Sequence, residues 1–280
     1  FKPGCKCEVM LCLVGGQGAG KSTFFRLLAV NDDWFSDDLK KLDDDNVYRK
    51  MQGHWIIEMS EMIATANAKS IEEIKSFLSR QKETYKIPYE THPADRKRQC
   101  VFGGSSNTLD FLPLDRTGNR RFLPVMVCPE QAEVHILEDE ATSREYIIQM
   151  WAEAMEIYRS GNFKLKLSRS TDEFLKAHQK EFMPEDTKAG QIIDYLERYS
   201  GNTVCSKQLY REALGHDYDE PKQWELREIN DIMNNAVTGW KAFANPRYFP
   251  EPYRRQRGWE RIPIDNEPDN NTGKFHELTE

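Results

Sequence analysis

The chain has 280 residues, 39% of them hydrophobic and 30% charged, with a formal net charge of −7. That length allows a sizeable core and two domains, and no run approaches the roughly 18 apolar residues of a membrane span. The acidic balance does not advertise a nucleic-acid binder, so any such role rests on where the positive charges fall.

The chain opens on Phe1 rather than Met and shows no signal peptide, so it reads as a fragment of a longer protein. Six scattered cysteines suit a reducing, cytoplasmic setting, and Cys5-x-Cys7 has no partners at zinc-ligand spacing. Pro3-Gly4 marks a turn. Residues 9–14 (VMLCLV) are short and apolar enough for a buried strand, and 23–28 place apolar residues at helical spacing. Between them stands Gly15-Gly16-Gln17-Gly18-Ala19-Gly20-Lys21-Ser22, which fits G-x-x-x-x-G-K-[ST]. Strand, glycine loop and helix are the context in which backbone N–H groups and a helix N-terminus hold phosphate. Gly15, Gln17, Gly18, Ala19, Gly20, Lys21, Ser22 and Thr23 are therefore the nucleotide-binding candidates. Lys21 would reach the β/γ-phosphates of ATP, and the Ser22 hydroxyl would sit on Mg²⁺.

Residues 37–45 are acidic and loop-like, and 45–51 form a short helix stopped by Gly53. Residues 54–62 (HWIIEMSEM) read as a second buried strand ending in carboxylates, at the strand tip where ligands of parallel sheets bind. Glu58 suits Mg²⁺ binding through water and Glu61 suits activation of the attacking water, although the assignment between the two is open. Residues 71–80 form an amphipathic helix capped by Ser70 and Glu73, with Lys75 on its solvated side. Residues 85–98 (YKIPYETHPADRKR) mix cations with tyrosines, as a single strand of nucleic acid requires, or as a solvated hairpin would. Residues 100–104 are a third strand, followed by Asn107, whose amide suits the attacking water or the γ-phosphate. Arg116, Arg120 and Arg121 surround a glycine turn before a fourth strand, 122–127, and suit phosphate recognition, in cis or from a neighbouring subunit.

Residues 143–158 form an amphipathic helix whose Ile147, Met150, Trp151, Ala154 and Ile157 read as core. A second helix spans 171–182, and 166–189 read as a helical connector. Helices over 192–199, 206–214 and 224–235 and strands over 240–243 and 258–262 make a small winged helix-turn-helix, 190–265. From 241 to 261, six Lys/Arg face two Glu, a local +4. Arg254, Arg255 and Arg257 are thus candidates for DNA contact, although such units also bind proteins. The acidic tail, 266–280, reads as disordered.

Taken together, Pro3-Gly4-Cys5-Lys6, GGQGAGKST (15–23), WIIEMSE (55–61), IKSFLSRQKETYKIPYE (74–90), RQCVFGGSSN (98–107), GNRRFLPV (118–125) and RQRGWERI (255–262) resemble the virulence-associated E (VapE) family of phage- and island-encoded P-loop proteins. That family is related to superfamily 3 and poxvirus-type primase-helicases within the AAA+ class, whose members form rings, often hexamers, on single-stranded DNA. The resemblance implies a parallel α/β ATPase domain over 1–165. It places Lys21 and Ser22 on Walker A, Glu58 and Glu61 on the Walker B acids, Asn107 on sensor 1, and Arg120 and Arg121 in the arginine-finger region. It makes Lys86, His92 and Lys97 pore-hairpin contacts to DNA. Ser60 departs from the tighter acidic pair expected there, and no primase region is present. The expected activity is that of an ATP- and Mg²⁺-dependent DNA helicase of a phage or mobile element. An origin-binding initiator that uses ATP as an assembly switch and a P-loop small-molecule kinase are the alternatives.

Overall fold

The computed structural model of the chain describes residues 2–39, 42, 47–61, 68–87, 89–115 and 118–263, without the side chains of 68–70. Arg116, the Ser70 cap and the tail expected to be disordered lie outside the described residues and side chains. The chain divides into two units, Phe1–Glu185 and Asp186–Glu280.

The first unit runs β1 (Met10–Val14), α1 (Lys21–Leu28), β2 (Phe35–Ser36), α2 (Val47–Lys50), β3 (Ile56–Ser60), α3 (Ala68–Leu78), β4 (Lys82–Tyr85), β5 (Ala94–Lys97), β6 (Val101–Ser106), β7 (Phe122–Met126), α4 (Glu140–Ser160) and α5 (Arg169–Gln179). Five strands form one sheet in the order β2-β3-β6-β1-β7, every neighbour parallel. Side chains alternate across a strand, and the central strands are apolar on both faces, as a sheet covered on both sides requires. One face carries Met10, Cys12, Val14, Ile57, Met59, Phe102 and Phe122, packed with Ile71, Ile74, Phe77 and Leu78 of α3. The other carries Leu13 and Ile56, packed with Phe25 and Ala29. Gly103 makes that second packing possible: a Cβ there would lie 2.3 Å from the Phe25 ring. The sheet is thus sandwiched between α1 and α3.

Three expectations need correction. Lys75 is not solvated; it is buried and paired with Asp115 at 2.5 Å and Glu72 at 2.9 Å. On α4 only Ile147 is core, while Met150 and Ile157 are 36% and 58% exposed. The helix is tied to α1 and the turn after it by its N-terminal half, through Arg26–Glu140, Arg144–Asp32 and a Trp151 Nε1–Leu28 carbonyl bond. Farther along, Trp151 and Ala154 are half-buried rather than core. Of the expected connector, finally, the part up to Glu185 groups with the first unit and 186–189 with the second. Gln179 at the end of α5 donates to the Asn119 and Phe122 carbonyls at 2.8 and 2.6 Å, and Phe182 is buried against Phe111. Burial of those side chains moves the boundary to 185.

The second unit runs α6 (Thr187–Arg198), β8 (Thr203–Cys205), α7 (Ser206–Gln208), α8 (Gln223–Asn235), β9 (Trp240–Ala242), β10 (Arg247–Phe249), β11 (Arg254–Gln256) and β12 (Gly258–Arg261). Ile192, Leu196, Val204, Leu209, Ile229, Ile232, Met233 and Trp259 make its core. The helix expected over 206–214 is α7 continued by a wide turn, with Leu214 N reaching back to Leu209 O at 3.1 Å. β8 adds a third strand beside the two expected, giving an antiparallel sheet β8-β12-β9. The expected loop between the last strands is itself a β10–β11 ribbon. Glu212 fastens the ribbon to the helices, accepting from Tyr195 and, at 2.5 Å, from Tyr253. No helix among the described residues is long and apolar enough to cross a membrane.

Candidate nucleotide site

The site is made at the carboxyl tips of β1, β3 and β6. Register brings Leu13 and Ser60 alongside Ser105, so the three strands end together and the loops leaving them open on one cleft. After β1 the chain turns through the glycine loop and enters α1 at Gly20, whose φ of 79° is a left-handed value that glycine adopts without strain. Gln17, Gly18, Ala19, Gly20, Lys21, Ser22 and Thr23 line a cleft of about 340 Å³ together with Ser60, Glu61, Ser105, Asn107 and Leu137. Gly15 lies behind it and holds the lysine. Lys21 Nζ donates to the Gly15 and Gly16 carbonyls at 2.7 and 2.8 Å and to Asn107 Oδ1 at 2.8 Å. All three ammonium donors are thereby used, each on a neutral acceptor, and the residue is only 8% exposed. Burial pushes the Lys21 ammonium below the ordinary lysine value, an effect that the Glu61 and Glu58 carboxylates oppose. A buried cation with no carboxylate ion pair among the described residues favours an incoming anion.

Glu58 is wholly buried. Its Oε1 accepts from Ser22 Oγ at 2.8 Å and Ser105 Oγ at 2.6 Å, while its Oε2 is buried without a hydrogen-bond partner. An orphaned carboxylate oxygen beside a serine hydroxyl at a phosphate loop fits a hard cation, which takes oxygen ligands. Among the described residues no three His, Cys, Asp or Glu side chains gather around a metal. Mg²⁺ does not need such a cage, because it keeps several waters and shares substrate phosphates. Ser105 is a contributor that the sequence reading passed over. It became visible only when β6 proved to run two residues beyond Gly104 and to pair with β3.

Glu61 comes directly after β3 with φ at 52°, a left-handed value that is uncommon outside glycine. Its backbone N–H reaches Ser105 O at 3.0 Å, and its Oε1 accepts from Asn107 N–H at 3.0 Å. Glu61 and Asn107 thus form one linked rim of the cleft. Glu58 is enclosed, whereas Glu61 borders the opening of the cleft.

Arg120 and Arg121 stand elsewhere. They precede β7, at the amino end of the sheet, and Met10 N bonds Arg121 O at 2.7 Å. Five residues of strand, about 16 Å at ~3.3 Å per residue, separate that edge from the glycine loop. Glu8 pairs with both, at 3.4 and 3.7 Å, and Arg121 Nε also donates to Ser79 Oγ at 3.0 Å. Among the described residues no arginine lines the cleft.

β4 and β5 form the antiparallel hairpin over the region expected to touch nucleic acid. Lys86, His92 and Lys97 are exposed on it, whereas Arg96 and Arg98 are committed to Glu90 and Glu83. In the second unit Arg254, Arg255 and Arg257 are exposed on and beside the β10–β11 ribbon. Arg254 is paired there with Glu251 at 3.2 Å.

No curated protein matches the chain. Two solved structures, both A-form apo structures of the NrS-1 C-terminal region, cover 92% of this chain with TM-scores of 0.46 and 0.45. They are 15% and 14% identical, over 67% and 68% of their own chains. Similarity this loose carries no argument about the site. The profile of the virulence-associated protein E-like domain, by contrast, matches residues 1–184, and the chain belongs to that family.

Proposed function

We propose that the chain is an ATP-hydrolysing replication motor of a phage or mobile element, acting as a ring of identical subunits on single-stranded DNA. The observation that carries this reading is the meeting of Lys21, Ser22, Glu58, Glu61 and Asn107 at one cleft, while Arg120 and Arg121 stand at the opposite edge. A site with no arginine of its own among the described residues would be completed by a neighbour's, and in related chemistry that residue is worth about 10³–10⁵ in turnover.

In this mechanism Lys21 gives up its loop carbonyls for phosphate oxygens and stabilises charge on them. Ser22 and Glu58 would hold Mg²⁺, which when bound neutralises phosphate charge. Glu61, aligned through the Asn107 backbone N–H, takes the proton of the attacking water. Lys86, His92 and Lys97 would neutralise DNA phosphates. The second unit would act as a winged helix whose Arg254, Arg255 and Arg257 meet duplex DNA.

Mixing inactive variants tests the shared site. Lys21→Ala and Arg120→Ala/Arg121→Ala should each be inactive alone and regain turnover when combined, because one supplies the arginine and the other the intact loop. Normal hydrolysis by the double arginine variant alone would remove the shared site. Stimulation of turnover by single-stranded DNA separates a motor from an initiator that uses ATP only to assemble.

A further inference from the structure

Next to the phosphate cleft lies a second cavity, of about 170 Å³. The two share Ala19, Gly20 and Lys21. Its walls are largely apolar: Leu13, Phe24, Val127, Pro129, Val134 and Ile136. The segment after β7 thus closes over the glycine loop, and Ile136 comes so near that a Cβ on Gly20 would lie 2.3 Å from its Cγ2. Apart from Lys21, which it shares with the phosphate cleft, and Cys128, one polar side chain breaks the apolar wall. His135 lines the cavity, and its Nδ1 is buried with no hydrogen-bond partner. A buried ring nitrogen left unpaired costs free energy until something bonds it.

We propose that this cavity takes the purine base of the nucleotide whose phosphates lie on the glycine loop, with His135 Nδ1 bonding the polar edge of the base. The assignment rests on the nucleotide reading above. Its chemistry is that of a ligand pocket in general, apolar walls for a planar ring and one placed polar group for orientation. Phe24 and Val134 supply the apolar surface, while the ring nitrogen, donor or acceptor according to tautomer, supplies selectivity. A pyrimidine, with one ring, fills less of the space and reaches His135 less well.

Calorimetric binding of ATP, CTP and inorganic tripolyphosphate to the whole chain in Mg²⁺ buffer tests this. The wild type should bind ATP more tightly than either other ligand. His135→Ala should weaken ATP by about 3- to 10-fold, the worth of one hydrogen bond, and leave tripolyphosphate unchanged. Val134→Trp, which fills the cavity from an exposed position, should bring ATP down to the affinity of tripolyphosphate. Equal affinity of the wild type for ATP and tripolyphosphate overturns the base pocket while leaving the phosphate site standing. So does parallel weakening of both ligands in the variants. Failure of every ligand to bind removes the nucleotide reading itself, and this inference with it.

Discussion

Glu58→Gln asks whether a wholly buried carboxylate is kept for a cation or for the fold. Oε1 has two hydroxyl donors and Oε2 has none, and an unpaired buried polar group costs about 1–3 kcal/mol, more when charged. An amide keeps an oxygen for Ser22 and Ser105 and removes the charge. Against that gain stand the lost attraction to Lys21 and an N–H pair with no evident acceptor. The balance leaves the variant more stable by about 1 kcal/mol in metal-free buffer. In urea unfolding of the whole chain, with a slope of about 1–3 kcal/mol per molar, its midpoint should rise by roughly 0.3–1 M. Mg²⁺-ATP at a hundred times its dissociation constant should then stabilise the wild type by about 2.7 kcal/mol and the variant by much less. A variant that unfolds earlier without metal, yet gains as much from Mg²⁺-ATP, would show that Glu58 is a structural acceptor and refute its role as a cation ligand.

Gly103→Ala drives a methyl into Phe25, so it should cost about 1–3 kcal/mol in the same unfolding assay, and Phe25→Leu on that background should recover most of it. Lys75→Met takes the ammonium away from Asp115, which keeps some water at 19% exposure. The loss should therefore be about 2–3 kcal/mol, at or below the lower edge for a fully buried pair. The same pair predicts a pH dependence. Burial alone would lower the Lys75 pKa, but Asp115 and Glu72 outweigh it and raise it. A raised pKa makes the contribution fully present below the unfolded lysine value, about 10.4, and lost as pH climbs through the folded one. The stability gap between wild type and Lys75→Met should hold steady from neutral pH upward and shrink only above that value, as read by unfolding at each pH.

Much of the candidate cleft was legible in the chain because its parts are local. A glycine loop, its lysine and its serine are adjacent in sequence, and an apolar run ending in an acid announces a strand tip wherever it falls. The helices and strands of the second unit were legible for the same reason, since periodicity and turn residues act over a few positions. The β10–β11 ribbon was missed because its strands are three residues long, too short for alternation to show.

Beyond the reach of the sequence lay everything that depends on which distant segments meet. Lys75 reads as a surface lysine on its helix until Asp115, forty residues on, is found against it. Met150 and Ile157 read as core until the fold leaves them 36% and 58% exposed, and Phe182 reads as the end of a connecting helix until Phe111 receives it. Ser105 meets Glu58 through the alignment of β6 with β3, and His135 lines a cavity because the segment after β7 folds back over the glycine loop. A sequence specifies residue types and their local periodicity, whereas burial and partnership are properties of the packed chain. For that reason the sequence named the lysine, the serine and the acids, and only the tertiary structure decided which oxygen is left open and which arginines stand at the opposite edge of the sheet.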